Sequence, residues 1–133
     1  MDGHLLLEVV TPERKVFSAE VSELTFPTAQ RGYYGILPGH TPVLTPVGDG
    51  LLTYIQNGQK HLLTVFGGFA EVGPDRVTIL ARESETPDML DAASLETARQ
   101  DALKHLKEAK DPQDLAIAQA ELDAATIRAQ ALA

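Results

Sequence analysis

The chain changes its hydrophobic period once, near residue 82, and that single change limits the folds open to it. Before it, short apolar runs are separated by turn residues every eight to twelve positions, the spacing of an antiparallel sandwich or barrel. HLLLEVV is a run of strand formers, and KVFSAEVSELTFP alternates loosely, with Val16, Val21, Leu24 and Phe26 as core candidates. The phase shift between Val21 and Leu24 predicts a bulge or bend. LLTYIQ and HLLTVFG flank Asn57-Gly58, the sequence of a two-residue hairpin whose central residues both need positive φ. AEV and RVTILA flank a second turn at Gly73-Pro74-Asp75.

After Ala81 the acidic stretch RESETPDMLD reads as a linker. From Asp91 the chain is rich in Ala, Leu, Glu, Lys and Gln, all good helix formers. Asp91 or Ser94 can cap a first helix whose apolar stripe is Leu95, Ala98, Ala102, Leu106 and Ala109. Asp111-Pro112 stops it and starts a second helix, with Asp at the N-cap and Pro at the first helical position. Helices joined so tightly must be antiparallel neighbours. The second helix carries two apolar faces, Leu115-Ala118-Leu122-Ala125-Ala129 and Ile117-Ala120-Ala124-Ile127-Ala131. Two faces suit either a helix with two partners or one in which Ala merely serves propensity. The fold class is therefore α+β, with an N-terminal antiparallel β-sandwich followed by a C-terminal αα-hairpin.

Composition narrows the function. A net charge of −8 disfavours nucleic acid and an anionic membrane surface as partners. With no Cys there is neither a disulfide framework nor a cysteine nucleophile. The N-terminus lacks the pattern of a secretory signal, and no apolar run approaches the roughly 20 residues of a membrane span, so direct membrane insertion is not expected. His4, His40, His61 and His105 are scattered singly, with no second His at metal-ligand spacing, so no metal site is expected. Ser18, Ser22, Ser84 and Ser94 lie in no nucleophile elbow. Gly48-Asp49-Gly50 lacks the rest of a dinucleotide fingerprint. No catalytic residue is assigned, and the domain is expected to work through its surfaces. A small-ligand-binding sandwich with a helical dimerisation hairpin is the competing class.

RGYYGILPGHTP, residues 31–42, carries the most specific signal. Its GILPGHTP part resembles the G-I/V-L-P-G-H-A-P signature of the epsilon subunits of F-type ATP synthases, called delta in mitochondria. LEVVTPERKVFSAEV resembles the opening pattern of that family, and GGFAEVGPDRVTILA, residues 67–81, its second block. The helical half is similar in composition and layout only.

The resemblance implies about ten strands in a flattened sandwich over residues 1–86, and a regulatory hairpin over 87–133. It implies a non-catalytic rotor subunit of the central stalk of a proton-translocating ATP synthase. The sandwich would join the gamma subunit to the c-ring. The hairpin would make transient contact with the alpha and beta catalytic subunits and inhibit ATP hydrolysis. The protein would sit peripherally on the cytoplasmic face of a bacterial plasma membrane, or on a plastid thylakoid. Arg31, Gly32, Tyr33 and Tyr34 fall at the family's c-ring contact, with a tyrosine pair where many members carry an acid and an aliphatic residue. Leu37, Pro38, Gly39 and His40 fall on the gamma side.

Some family members bind a regulatory ATP through I/L-D-x-x-R-A and an upstream acid. Glu85, Leu90 and Asp91 match, but Ser94 and Leu95 replace the Arg and Ala. A triphosphate needs cations or helix N-termini, so the expectation is weak or absent ATP binding and no resident cofactor. Arg128 is the one cation of the second helix, against Asp114, Glu121 and Asp123. Pairing with an acidic catalytic-subunit surface should therefore be poor, and inhibition mild.

Overall fold

The computed structural model describes residues 3–30 and 32–133. It divides into two compact units, residues 1–86 and 87–133. The first is a sandwich of two five-stranded sheets. One holds β2 (Lys15–Val21), β1 (Leu5–Val10), β9 (Arg76–Leu80), β8 (Phe69–Val72) and β5 (Val43–Pro46), in that order. The other holds β10 (Glu83–Glu85), β7 (Gln59–Phe66), β6 (Gly50–Gln56), β3 (Glu23–Pro27) and β4 (Tyr33–Ile36). Alternate residues of β1 (Leu5, Leu7, Val9) and of β9 (Val77, Ile79) are sealed in the core, as the period of two along a strand requires. They meet Leu24, Phe26, Leu52, Leu63 and Val65 of the facing sheet. Each such side chain contributes about 1.5–3 kcal/mol on burial.

The Asn57-Gly58 hairpin forms as expected, with φ of 53° and 78° between paired β6 and β7. The phase shift near Val21 is a corner between sheets: β2 ends in the first and β3 begins in the second. Ser22 holds the corner by donating to the Ile55 carbonyl from its backbone N–H at 2.8 Å and from its hydroxyl at 3.2 Å. One pairing departs from antiparallel order. β1 and β9 run parallel, Leu7 opposite Val77 and Val9 opposite Ile79, which closes the first and last parts of that sheet. Across it Glu8 binds Lys15 at 3.0 Å and Arg76 at 3.3 Å, and the Lys15 hydrogen bond chiefly holds the Glu8 carboxyl below its ordinary value.

The Gly67-Gly68 pair lies where β7 gives way to β8. Gly68 has φ of 101°, and a Cβ there would overlap the Leu80 carbonyl oxygen. The backbones approach so closely that only glycine fits.

The second unit opens with a 3-10 turn at Pro87–Met89, then α1 (Ala92–Glu108) and α2 (Pro112–Leu132). Asp91 rather than Ser94 is the cap of α1, its carboxylate accepting from the Ser94 N–H at 2.8 Å. Asp111 caps α2 in the same way, accepting from the Asp114 N–H at 2.8 Å, with Pro112 first in the helix. Each cap satisfies an end N–H that has no partner within its helix. Ala102, Ala118 and Ala125 are buried, small residues that let the two helix backbones approach. Ala98 is exposed, whereas Leu95 and Arg99 border Ala125, Ala129 and Leu132. The seam therefore swings toward Arg99, which the apolar stripe alone does not mark. Neither helix is long and apolar enough to cross a membrane.

Candidate functional site

The segment from Pro27 to Pro46 gathers most of the residues singled out in the sequence. β4 pairs with β3, setting Tyr34 opposite Phe26 and Tyr33 opposite Pro27. Successive side chains on a strand point to opposite faces, so the two tyrosines part company. Tyr34 turns inward, its ring 5.8 Å from that of Phe26. Tyr33 turns outward and is 60% exposed, with its hydroxyl over Gly50, where a Cβ would stand 2.9 Å from it. Arg31, assigned with them to one contact, lies outside the described residues; Gly32 is exposed with φ of 74°.

Tyr34 also reaches the following loop, its hydroxyl 3.2 Å from Nε2 of His40. The other ring nitrogen, Nδ1, is 2.6 Å from the Thr41 carbonyl. A carbonyl only accepts, so Nδ1 carries the hydrogen; in the neutral ring Nε2 is then the acceptor and the Tyr34 hydroxyl donates to it. His40 thus ties the loop to β4. Gly39, at φ of 86°, donates its N–H to the Pro74 carbonyl at 2.6 Å. The Pro38-Gly39 turn is in this way fastened to the turn between β8 and β9. Leu37 is left 60% exposed at the tip.

Beside Tyr33 runs an open cleft of about 440 Å³, lined by Thr28, Gln30, Tyr33, Tyr34, Leu44 and Pro46 among others. Leu44 is 67% exposed. The Thr28 hydroxyl donates to the Gly32 carbonyl at 2.7 Å, closing the β3–β4 connection on itself. The cleft offers apolar area and aromatic edges, the chemistry of a protein contact.

Apolar exposure continues across the outer face of the first sheet. Pro46 pairs with Phe69, Phe69 with Leu80 and Leu80 with Val10. Phe69 and Leu80 are exposed. This row was not marked in the sequence, because its members are scattered over four strands and meet only through the ladder.

The nucleotide-motif residues divide between the units. Glu85, in the first, is bound to Thr64: the Thr64 hydroxyl donates to its carboxylate at 2.6 Å and accepts from its backbone N–H at 2.9 Å. Ser84 donates to the Thr64 carbonyl at 2.6 Å, so β10 is fastened to β7 by side chains as well as by its ladder. In the second unit Asp91 is the α1 cap, and its carboxyl is held below the ordinary value by the N–H of Ser94. Leu90 precedes it, half-buried, and Ser94 is exposed. Arg128 is half-buried on α2.

The hairpin also brings together residues that stand far apart in the sequence. His105 of α1 contacts two carboxylates of α2, Asp114 through Nε2 at 2.8 Å and Glu121 through Nδ1 at 2.7 Å. The signal was present in the spacing of Asp114 and Glu121, seven residues and so two turns apart on one face. Among the described residues no cluster of His, Asp and Glu is arranged to hold a metal ion.

Residues 4–87 match the family described as ATP synthase, Delta/Epsilon chain, beta-sandwich domain. The ATP synthase epsilon chain of Herpetosiphon aurantiacus is 43% identical over 124 residues, covering 93% of this chain and 90% of the relative. That of Bacillus subtilis is 39% identical over 109 residues, covering 82% of each. Among solved structures, a chain of the Euglena gracilis mitochondrial ATP synthase, determined as OSCP/F1/c-ring, superposes with a TM-score of 0.82 at 21% identity, covering 100% of this chain and 84% of that one. A chain of the Tetrahymena thermophila central stalk and c-ring gives 0.66 at 13% identity, covering 97% and 96%. These two share the fold. With its sandwich matched by the family as a whole and its length matched by epsilon chains at about 40% identity, this chain belongs to the delta/epsilon chain family of the ATP synthases.

Proposed function

We propose that this epsilon chain is a non-catalytic rotor subunit of the central stalk, coupling gamma to the c-ring in a proton-translocating enzyme. The observation that carries the reading is the exposed apolar and aromatic set on the sandwich, Tyr33 and Leu44 lining one cleft and Leu37 at the tip of the following loop, on a chain of this family. Leu37 and Leu44 offer apolar area and Tyr33 adds a polar tip, all with few torsions to freeze, which suits a contact that must transmit torque. Gly32, Tyr33 and Leu44 serve the c-ring side, together with Arg31. Leu37, Pro38 and Gly39 serve the gamma side, and His40 and Tyr34 hold the two loops in register. The subunit sits peripherally, on the cytoplasmic face of a bacterial plasma membrane.

The hairpin inhibits hydrolysis mildly by reaching the alpha and beta subunits, where Arg128 supplies the attraction. ATP binds weakly or not at all, because Asp91 and Glu85 are engaged in internal bonds and Ser94 stands in the cation's place. The test is co-purification with gamma and c-ring, followed by hydrolysis and proton-coupled synthesis by the reconstituted complex with and without the chain. Recovery of the chain free of gamma, with synthesis unaffected by its omission, would overturn the reading.

A further inference from the structure

His105 stands between the helices with a carboxylate on each ring nitrogen, both within 2.8 Å. Ionised carboxylates only accept, so both nitrogens must carry hydrogen and the bonded ring is the imidazolium. A neutral ring can donate to one carboxylate only and then sets a lone pair against the other. The partners are nine and sixteen residues away in sequence, so the contact joins α1 to α2 rather than bracing either helix alone. Its surroundings favour the cation. Facing it from α2 are Asp114 and Glu121, with Arg128 two turns further along the same flank; on α1, Asp101 and Glu108 stand one turn to either side, and Lys110 and Asp111 occupy the connection. The bonds from Glu121 and then Asp114 raise the His105 pKa above its ordinary 6.5. The fully buried residues of the hairpin are all alanines, each supplying less apolar area than a larger side chain would.

We propose that His105, Asp114 and Glu121 form a proton-operated latch that closes the helical hairpin when His105 is protonated and loosens it when the proton leaves. The direction follows from linkage. A histidine whose pKa is raised by folding adds stability that is fully present below its unfolded value and is lost as pH rises through the folded value. The window therefore opens at about 6.5 and extends upward. A link to the regulation of hydrolysis rests on the rotor reading above; the latch itself is a property of the chain alone and is measured on it.

The experiment follows the imidazole resonances of the full chain by NMR through a pH titration, and in parallel its urea unfolding by the helical far-ultraviolet signal at about pH 6 and about pH 9. The expected result is a His105 midpoint above 6.5, and a urea midpoint for the helices that falls toward the higher pH. His105→Gln abolishes that fall, and Glu121→Gln, which keeps the shape and removes a charge, brings the His105 midpoint down. A His105 midpoint at or below 6.5, or an equal fall in His105→Gln, overturns the proposal. So does a His105 midpoint unchanged in Glu121→Gln.

Discussion

The hydroxyl of Tyr34 is hydrogen-bonded to Nε2 of His40 at 3.2 Å, while its neighbour Tyr33 faces away and is 60% exposed. Two adjacent tyrosines therefore carry different loads, and single substitutions should separate them. Tyr34→Phe removes one partly buried hydrogen bond and should cost about 1 kcal/mol of stability, read as a lower urea midpoint. Tyr33→Ala should change stability by no more than about 0.5 kcal/mol, yet reduce proton-coupled synthesis with hydrolysis retained. Equal loss of stability in both would contradict the division.

Gly68 and Gly58 test the backbone. Both have positive φ, but a Cβ at Gly58 meets open space, whereas at Gly68 it meets the Leu80 carbonyl. Gly58→Ala should cost about 1 kcal/mol from conformational strain alone. Gly68→Ala adds a clash between backbones and should cost several kcal/mol, roughly 3 or more. Thermal unfolding of the two variants ranks them, and the reverse order would refute the close-approach explanation.

For nucleotide binding, Ser94→Arg restores the cation of the family motif at the exposed first turn of α1. Titration calorimetry should show weak or no ATP binding by the natural chain and tighter binding by the variant. No gain would count against the missing cation as the cause.

Removal of residues 88–133 should raise hydrolysis by the assembled enzyme only slightly. A hairpin that preferred its inhibitory site by about 1.4 kcal/mol would leave roughly tenfold to be released, and the acidic residues around Arg128 argue against so large a preference. Activation approaching tenfold in a steady-state assay would refute the charge argument.

Acid should spare one ion pair of α1. Arg99 binds Glu96 through Nε at 3.1 Å and Nη2 at 2.8 Å, and this hydrogen bonding, with help from Gln100, lowers the Glu96 pKa from 4.5 to about 2. A carboxylate lowered by folding contributes stability that is complete above its unfolded value and is lost as pH falls through the folded one. The Glu96 contribution should thus fade between pH 4.5 and about 2. In Arg99→Ala, carboxyl resonances followed by NMR should place the Glu96 midpoint back toward 4.5; an unmoved midpoint would show that Arg99 is not the cause.

What the sequence determined by itself is what acts over a few residues. The Asn57-Gly58 hairpin, the Asp91 and Asp111-Pro112 caps and the change of period near residue 82 each depend on local φ preferences, on end N–H groups or on alternation along one element. Tertiary structure decided what joins distant segments. The parallel pairing of Leu7 with Val77 and the corner at Ser22 follow from closing two sheets over one core, which no local window contains. The same is true of the split between Tyr33 and Tyr34. A strand turns alternate residues to opposite faces, but only the packing of Phe26 beneath β4 settles which tyrosine goes inward. His105 shows the limit most plainly. It is one of the chain's four histidines, and it meets two carboxylates only when the tight turn at Asp111-Pro112 lays Asp114 and Glu121 against it.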